Sequence, residues 1–239
     1  AEDGIRDVAV TGVQTCALPI YTASGVSASV VGDLSNTASG NYGAVLGGGY
    51  NVANSYYSAA LGGGLATTRA ISGNIVGGMG NTSGGLGQQQ FAILLLYSGT
   101  TDATSTVMTS NRGSASTNNQ VILPNNSAYY FRGEVVAGVT GGGNTKGWYI
   151  EGVIKRGANA ASTALVGVPT VTSNYGDVGA AAWTIAVTAD TTNGGLAVTF
   201  TGQAATTIRT VAQIKTTEMR SEEHTSELQS RLHLVCRLL

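Results

Sequence analysis

The sequence predicts an all-β protein in which parallel β-roll repeats are followed by an antiparallel β-sandwich or jelly-roll domain. Three observations carry that prediction. Residues 24 to 87 repeat with a spacing of 15, the apolar residues beyond Gly87 alternate with a period of two, and no stretch carries the helical period convincingly.

The repeat comes first along the chain. The doublets Val30-Val31, Val45-Leu46, Ala60-Leu61 and Ile75-Val76 stand 15 residues apart, and each precedes a glycine. Other columns run in phase: Asn36, Asn51, Ala66 and Asn81; Ala38, Ala53, Thr68 and Ser83; Ser29, Ala44, Ala59 and Asn74. Each copy predicts one coil of two short strands, with the doublet on one strand and glycine in turns that need positive φ. One coil has too little apolar face to bury alone, so stacking has to build the core. Its small side chains leave little volume, which implies that other chains complete that core. Collagen is excluded because glycine does not recur every third residue. A calcium-binding nonapeptide roll is excluded because Asp33 is the only carboxylate between residues 24 and 87.

The second region reads as short strands separated by turn clusters. Phe91–Tyr97 and Ser105–Thr109 open it. Tyr129, Phe131, Gly133, Val135 and Ala137 share one strand face, with Tyr130, Arg132, Glu134 and Val136 on the other. Gly141-Gly142-Gly143-Asn144 then turns the chain into Trp148, Ile150, Gly152 and Ile154, which alternate with Tyr149, Glu151, Val153 and Lys155. Leu165–Val171 and Trp183–Val187 follow, and the turn pair Asn193-Gly194 leads into Leu196–Phe200. Ile208–Ile214 is the last strand. About 130 residues suffice for one sandwich core.

Two segments carry a resemblance. GDLSNTASGNYGAVLGGGYNVANSYYSAALGGG resembles the head repeats of trimeric autotransporter adhesins and of related phage tail fibres. That resemblance implies a left-handed parallel β-roll, three of which pack around a common axis as a homotrimer. The ending GLAVTFTGQAATTIRTVAQIKTTEM resembles the terminal strands of a β domain at the tips of phage tail fibres, in which the chain stops shortly afterwards. Together they imply a virion tail-fibre structural protein that binds a host-cell surface receptor, glycan or protein. A bacterial trimeric surface adhesin is one alternative, and it would carry a downstream stalk and membrane anchor. A tailspike with glycan-cleaving activity is another, and it would need a groove with paired acids.

The two ends read differently from what lies between them. Ala1–Ile20 resembles a translated sequencing-library adapter, and Arg220–Leu239 resembles the same adapter read in the opposite direction. One index sequence, GGCTAC with its complement, fits both. The expected organisation is therefore an adapter-derived segment at 1–20, a roll at 21–87, a sandwich tip at 88–219 and a second adapter-derived segment at 220–239. Neither end is expected to contribute to the fold.

Chemistry is sparse in the middle. Both cysteines (Cys16, Cys236) and both histidines (His224, His233) fall in the ends, and residues 21–219 carry one more basic than acidic side chain. No basic stripe suits nucleic acid, and no apolar run is long enough for membrane insertion. No metal site, cofactor or catalytic residue is expected. Glu134 and Glu151 could meet across neighbouring strands as a glycosidase pair, but pairing with Arg132 or Lys155 on a solvated face is the plainer reading. Asp190 to Asn193 reads as a hairpin turn rather than a cation loop. Aromatics are the better lead: Tyr42, Tyr50, Tyr56 and Tyr57 in the repeat, and Tyr129, Tyr130, Trp148 and Tyr149 in the tip. Trp148 and Trp183 alternate with isoleucine and are assigned to the core. The expected ligand-binding residues are Tyr149, Tyr175, Asn144 and Asn174, beside turns at Gly141–Asn144 and Asn174–Gly179 that suit a neutral glycan.

Overall fold

Alternate small residues face one another across the roll. In the computed structural model, which describes residues 21–32, 34–80 and 85–221, β1 (Thr22–Ala23), β3 (Thr37–Ala38) and β5 (Val52–Ala53) stack in parallel as one sheet. The strands β2 (Ser29–Val30), β4 (Ala44–Val45), β6 (Ala59–Ala60) and β7 (Ile75–Gly78) stack in parallel as the other wall. Ala38, Ala53 and Ala66 from one side meet Val45, Ala60 and Val76 from the other, so the core is one layer of small side chains. The coils stack so closely that Gly48, where φ is +69, has no room for a Cβ: an added carbon would strike the Gly63 carbonyl of the next coil.

The Asn36–Asn51 column explains itself once the coils are stacked. Both side chains are fully buried. Asn36 Oδ1 accepts from Asn51 N at 2.9 Å, and Asn51 Oδ1 accepts from Ala66 N at 2.9 Å. Their amides donate to Gly48 O at 2.6 Å, and to Gly47 O at 2.9 Å and Gly63 O at 3.1 Å. Each amide therefore satisfies turn groups that would otherwise be buried without partners. Asn81, Ser83 and Asp33 lie outside the described residues.

Two features of the repeat differ from expectation. The doublets do not act as units: Val45 and Ala60 are buried whereas Val31, Leu46 and Leu61 are exposed, because successive strand residues point to opposite faces. The fourth copy is also shifted by one residue. Ala59 pairs with Ile75 and Ala60 with Val76, so Ile75 rather than Asn74 continues the column of Ser29, Ala44 and Ala59. The extra residue is absorbed where Arg69 and Ala70 both take positive φ. That wider turn buries Ile71 in the sandwich core.

The roll runs into the tip without a break. β7 pairs antiparallel with β8 (Gln89–Thr100), placing the roll wall in one nine-stranded sheet of order β13-β12-β11-β16-β8-β7-β6-β4-β2. Its long members are β11 (Ser127–Val139), β12 (Thr145–Arg156), β13 (Ala164–Gly176) and β16 (Ile208–Arg220). A smaller sheet of β10 (Val121–Ile122), β15 (Gly195–Thr201) and β14 (Thr184–Asp190), with β9 (Thr106–Val107) also on β15, faces it. Tyr129, Phe131, Ile150, Ile154 and Ile214 of the large sheet pack against Leu196, Val198 and Phe200 of the small one. Phe200 meets Trp148 and Trp183 edge-on, at 6.2 and 6.3 Å between centroids. Both tryptophans are core residues, and each ring contributes roughly 2–3 kcal/mol by burial.

Among the described residues the fold is all-β apart from two three-residue 3-10 turns, Ala160–Ser162 and Val178–Ala180. Short parallel strands come first and long antiparallel strands follow. Asn174 and Tyr175 were expected in a turn, yet they lie inside β13. The strand continues past its bulges because Tyr175 pairs with Gly147 and Gly176 with Lys146. Arg220, assigned from sequence to the tail, is the last residue of β16 and pairs with Ser127. Residues 1–20 and 222–239 lie outside the described residues.

Candidate functional site

The core claims every second residue of the large sheet, so the remainder form an outer face whose composition the register sets. One row across the strands runs Tyr175, Gly147, Val136, Val211 and Tyr97. The next runs Tyr149, Glu134, Gln213 and Leu95. A third runs Glu151, Arg132, Lys215, Ile93 and Ile75. The fourth runs Val153, Tyr130, Thr217, Phe91 and Gly77, where the Phe91 ring covers the space a Cβ would take. That row continues on the roll through Leu61, Leu46 and Val31, each bonded by its N–H to the adjacent coil. The face therefore changes character along its width. Its tip end mixes tyrosine with charge, and its roll end is apolar and uncharged.

Of the four residues expected to bind ligand, Tyr149 and Tyr175 share one face of the tip end, whereas Asn174 alternates with Tyr175 and takes the opposite face. Tyr149 is 38% exposed on β12, directly across from Glu134 and Thr172. Tyr175 is 80% exposed on the edge strand β13. Because Gly147 separates Tyr175 from the next strand and sits two residues before Tyr149, both rings stand on the same sheet face. Asn174 precedes Tyr175 and is exposed, beside a bulge where Ser173 Oγ donates to Gly147 O at 3.0 Å. Asn144 ends the β11–β12 hairpin and is pressed against Gly179. That contact is held by Asp177, whose carboxylate accepts from Thr145 N at 2.7 Å and whose N–H donates to Thr145 O at 2.9 Å. Lys146 Nζ donates to Ala181 O and Trp183 O at 3.0 and 2.8 Å, which holds the same corner from inside. The arrangement offers two tyrosine rings on one sheet face, with Asn144 held at the hairpin end beside Gly179 and Asn174 turned to the other face.

The acidic residues are placed otherwise than a hydrolytic pair. Glu134 stands opposite Tyr149 and Glu151 opposite Arg132, so the two are diagonal neighbours on an open sheet face. Among the described residues neither joins an ion pair. Asp190 is occupied as the hairpin reading expects: its carboxylate accepts from Thr192 N at 2.9 Å, Asn193 N at 2.9 Å and Asn193 Nδ2 at 2.7 Å. Burial alone would raise its pKa, but those hydrogen bonds outweigh burial and lower it.

Sequence reasoning missed one charged cluster and understated an aromatic one. Arg69 and Glu218 form a buried ion pair where the roll joins the tip. Nothing local in the sequence signals it, since the partners belong to different regions. The tyrosines of the repeat were singled out as residues but not as a group, although Tyr42, Tyr56 and Tyr57 touch one another. The 15-residue offset between Tyr42 and Tyr57 was the available signal.

No protein-family model matches the sequence, and no curated protein matches it. Among solved structures, the crystal structure of the Acinetobacter phage vB_ApiP_P1 tailspike protein is similar at a TM-score of 0.24 and 13% identity, over 85% of this chain. This chain spans 40% of the length of that one. A likeness this loose fixes neither fold nor function.

Proposed function

We propose that the protein is a non-enzymatic, homotrimeric virion fibre protein that attaches to a cell-surface glycan. The observation that carries the reading is the apolar roll end of the outer sheet face. Val31, Leu46, Leu61 and Phe91 form an exposed stripe, backed by Ala44, Ala59, Ile75 and Ile93. A contiguous apolar stripe on a sheet marks a surface that association covers, and the one-layer core beneath it leaves each roll thin. Packing three copies along this stripe would bury it around an axis. The repeat's resemblance to phage-fibre and adhesin heads supports the same assembly and, with it, a virion location.

Attachment falls to Tyr149, Tyr175, Asn144 and Asn174. Aromatic faces stack on the apolar faces of sugars, amides bond their hydroxyls, and the corner sits on a scaffold that need not move. Tyr149→Ala with Tyr175→Ala should weaken binding to cells or immobilised glycan about tenfold, while the melting temperature stays within a few degrees. Undiminished binding by that folded variant contradicts the assignment of the corner.

A further inference from the structure

We propose that Tyr42, Tyr56 and Tyr57 form a second stacking platform, for a neutral oligosaccharide, on the turn edge of the roll. The proposal rests on the glycan reading above but places a separate subsite far from the Tyr175 corner in the sequence.

Tyr42 and Tyr57 cover one face of each other and leave their outer faces open, since Ser27 and Gly73 hold the same position in the flanking coils. Tyr42 and Tyr57 hold the same turn position one coil apart, with ring planes 6° from parallel and centroids 4.9 Å apart. Tyr56 stands edge-on to Tyr57 at 5.3 Å and tilted to Tyr42 at 5.9 Å. All three remain open to solvent, at 46, 48 and 65% exposure for Tyr42, Tyr56 and Tyr57. The Asn41 side chain fixes one of them: its amide donates to the Tyr56 hydroxyl at 3.3 Å while its oxygen accepts from Val26 N at 3.0 Å.

The backbone does not call for tyrosine at these sites. The turn position requires positive φ in every coil, with values of 53 at Ser27, 57 at Tyr42, 53 at Tyr57 and 73 at Gly73. Serine fills it in the coil before and glycine in the coil after. A bulky residue adopts this conformation with strain, so serine or glycine would serve the turn at lower cost.

The chemistry around the rings selects the occupant. No charged residue occurs from residue 34 to residue 68, so the coils that carry the rings have no side chain with which to hold an ion. Polar neighbours are present instead. Gly73 N donates to Tyr56 O and Ser72 N to Asn118 O, so the Ser- and Asn-rich segment around Asn118 adjoins the coil that follows the rings. Hydroxyl-bearing rings with amides at their border suit a sugar. The aliphatic stripe of Leu46 and Leu61, on the sheet face rather than the turn edge, suits a second copy of the chain.

Native electrophoresis of the full chain in gels containing galactomannan tests the proposal, read in four forms: unchanged, Tyr42→Ser with Tyr57→Ser, the Tyr149→Ala and Tyr175→Ala pair, and all four changes together. Ser27 shows that the roll accepts serine at this φ, so the roll variant should keep its assembly mass and melting temperature. The unchanged chain should be retarded, equally at low and high salt, since no charge is involved. The roll variant should bind roughly tenfold more weakly, and adding its changes to the tip variant should remove the binding that remains. If the tip variant binds normally and the roll variant does not, the platform stands and the tip corner is the reading that fails. Binding that the roll changes leave untouched in both backgrounds overturns the platform, as does absence of retardation of the unchanged chain. A changed assembly mass would make the rings a subunit contact and overturn it as well. Tyr42→Asn with Tyr57→Asn repeats the test with a residue suited to positive φ, and unfolding of both variants would assign the rings to stability alone.

Discussion

Arg69 in the last coil of the roll is ion-paired with Glu218 in the final strand, although 149 residues separate them. Their side chains are 12% and 3% exposed. Glu218 also accepts from Gln90 Nε2 and Thr216 Oγ1, each at 2.8 Å, and Arg69 donates to Gly87 O at 2.7 Å. Gln90 in turn brackets Thr67, accepting from its N–H at 3.0 Å and donating to its carbonyl at 3.1 Å. The Tyr129 ring lies beneath the guanidinium at 5.5 Å. Its hydroxyl is buried near the Glu218 carboxylate, and burial followed by that carboxylate pushes its pKa well above the ordinary phenol range. This cluster fastens the roll to the tip alongside the β7–β8 pairing and the burial of Ile71.

Arg69→Ala should therefore cost about 3–5 kcal/mol, because it leaves a carboxylate buried without its counter-charge. Urea unfolding gives the figure. Replacing both partners together, Arg69→Met with Glu218→Leu, should recover most of the loss. A single-variant cost under about 1 kcal/mol would show that the pair is solvated and does not join the two regions.

The asparagine column supports a second expectation. Ala66 occupies the place of Asn51 one coil later, so Asn51→Ala fits sterically, yet it strands Ala66 N together with acceptors at Gly47 and Gly63. Losing partners for buried backbone groups should cost about 2–3 kcal/mol by thermal or urea unfolding. A neutral result would mean that water replaces the amide within the coil.

Asp190 sets a pH dependence. Its folded pKa is lowered, so the stabilisation is present above the unfolded value near pH 4 and is lost as pH falls through the folded value. Asp190→Asn should melt lower than the unchanged chain at pH 6, by less than about 1 kcal/mol because the group is only part-buried and solvent screens it. The gap should close by about pH 2. A gap that widens on acidification would reverse the sign and contradict the assignment.

Much of this architecture was legible in local pattern, and its failures share a cause. Alternation alone set Phe131 and Tyr130 on opposite strand faces and placed Trp148 inside and Tyr149 outside, because a pleated strand buried on one face forces that period. The shift at Ile75 escaped notice because Ile75-Val76 resembles the earlier doublets, while the extra residue hides in a turn whose positive φ at Arg69 and Ala70 is not written in residue type. β10 is two residues long and exists only because Val121 finds Leu196. Of the tip corner, the outward phase of Tyr149 was readable. That Tyr175 shares its face was not, since Ser173-Asn174 has turn chemistry and only the bulged register against Gly147 returns the chain to the sheet.

The claim that most of the account depends on is assembly along the Val31, Leu46, Leu61 and Phe91 stripe. Sedimentation equilibrium of the full chain near neutral pH measures it directly. The account predicts a single species of three chain masses. A stable, monodisperse monomer would contradict it.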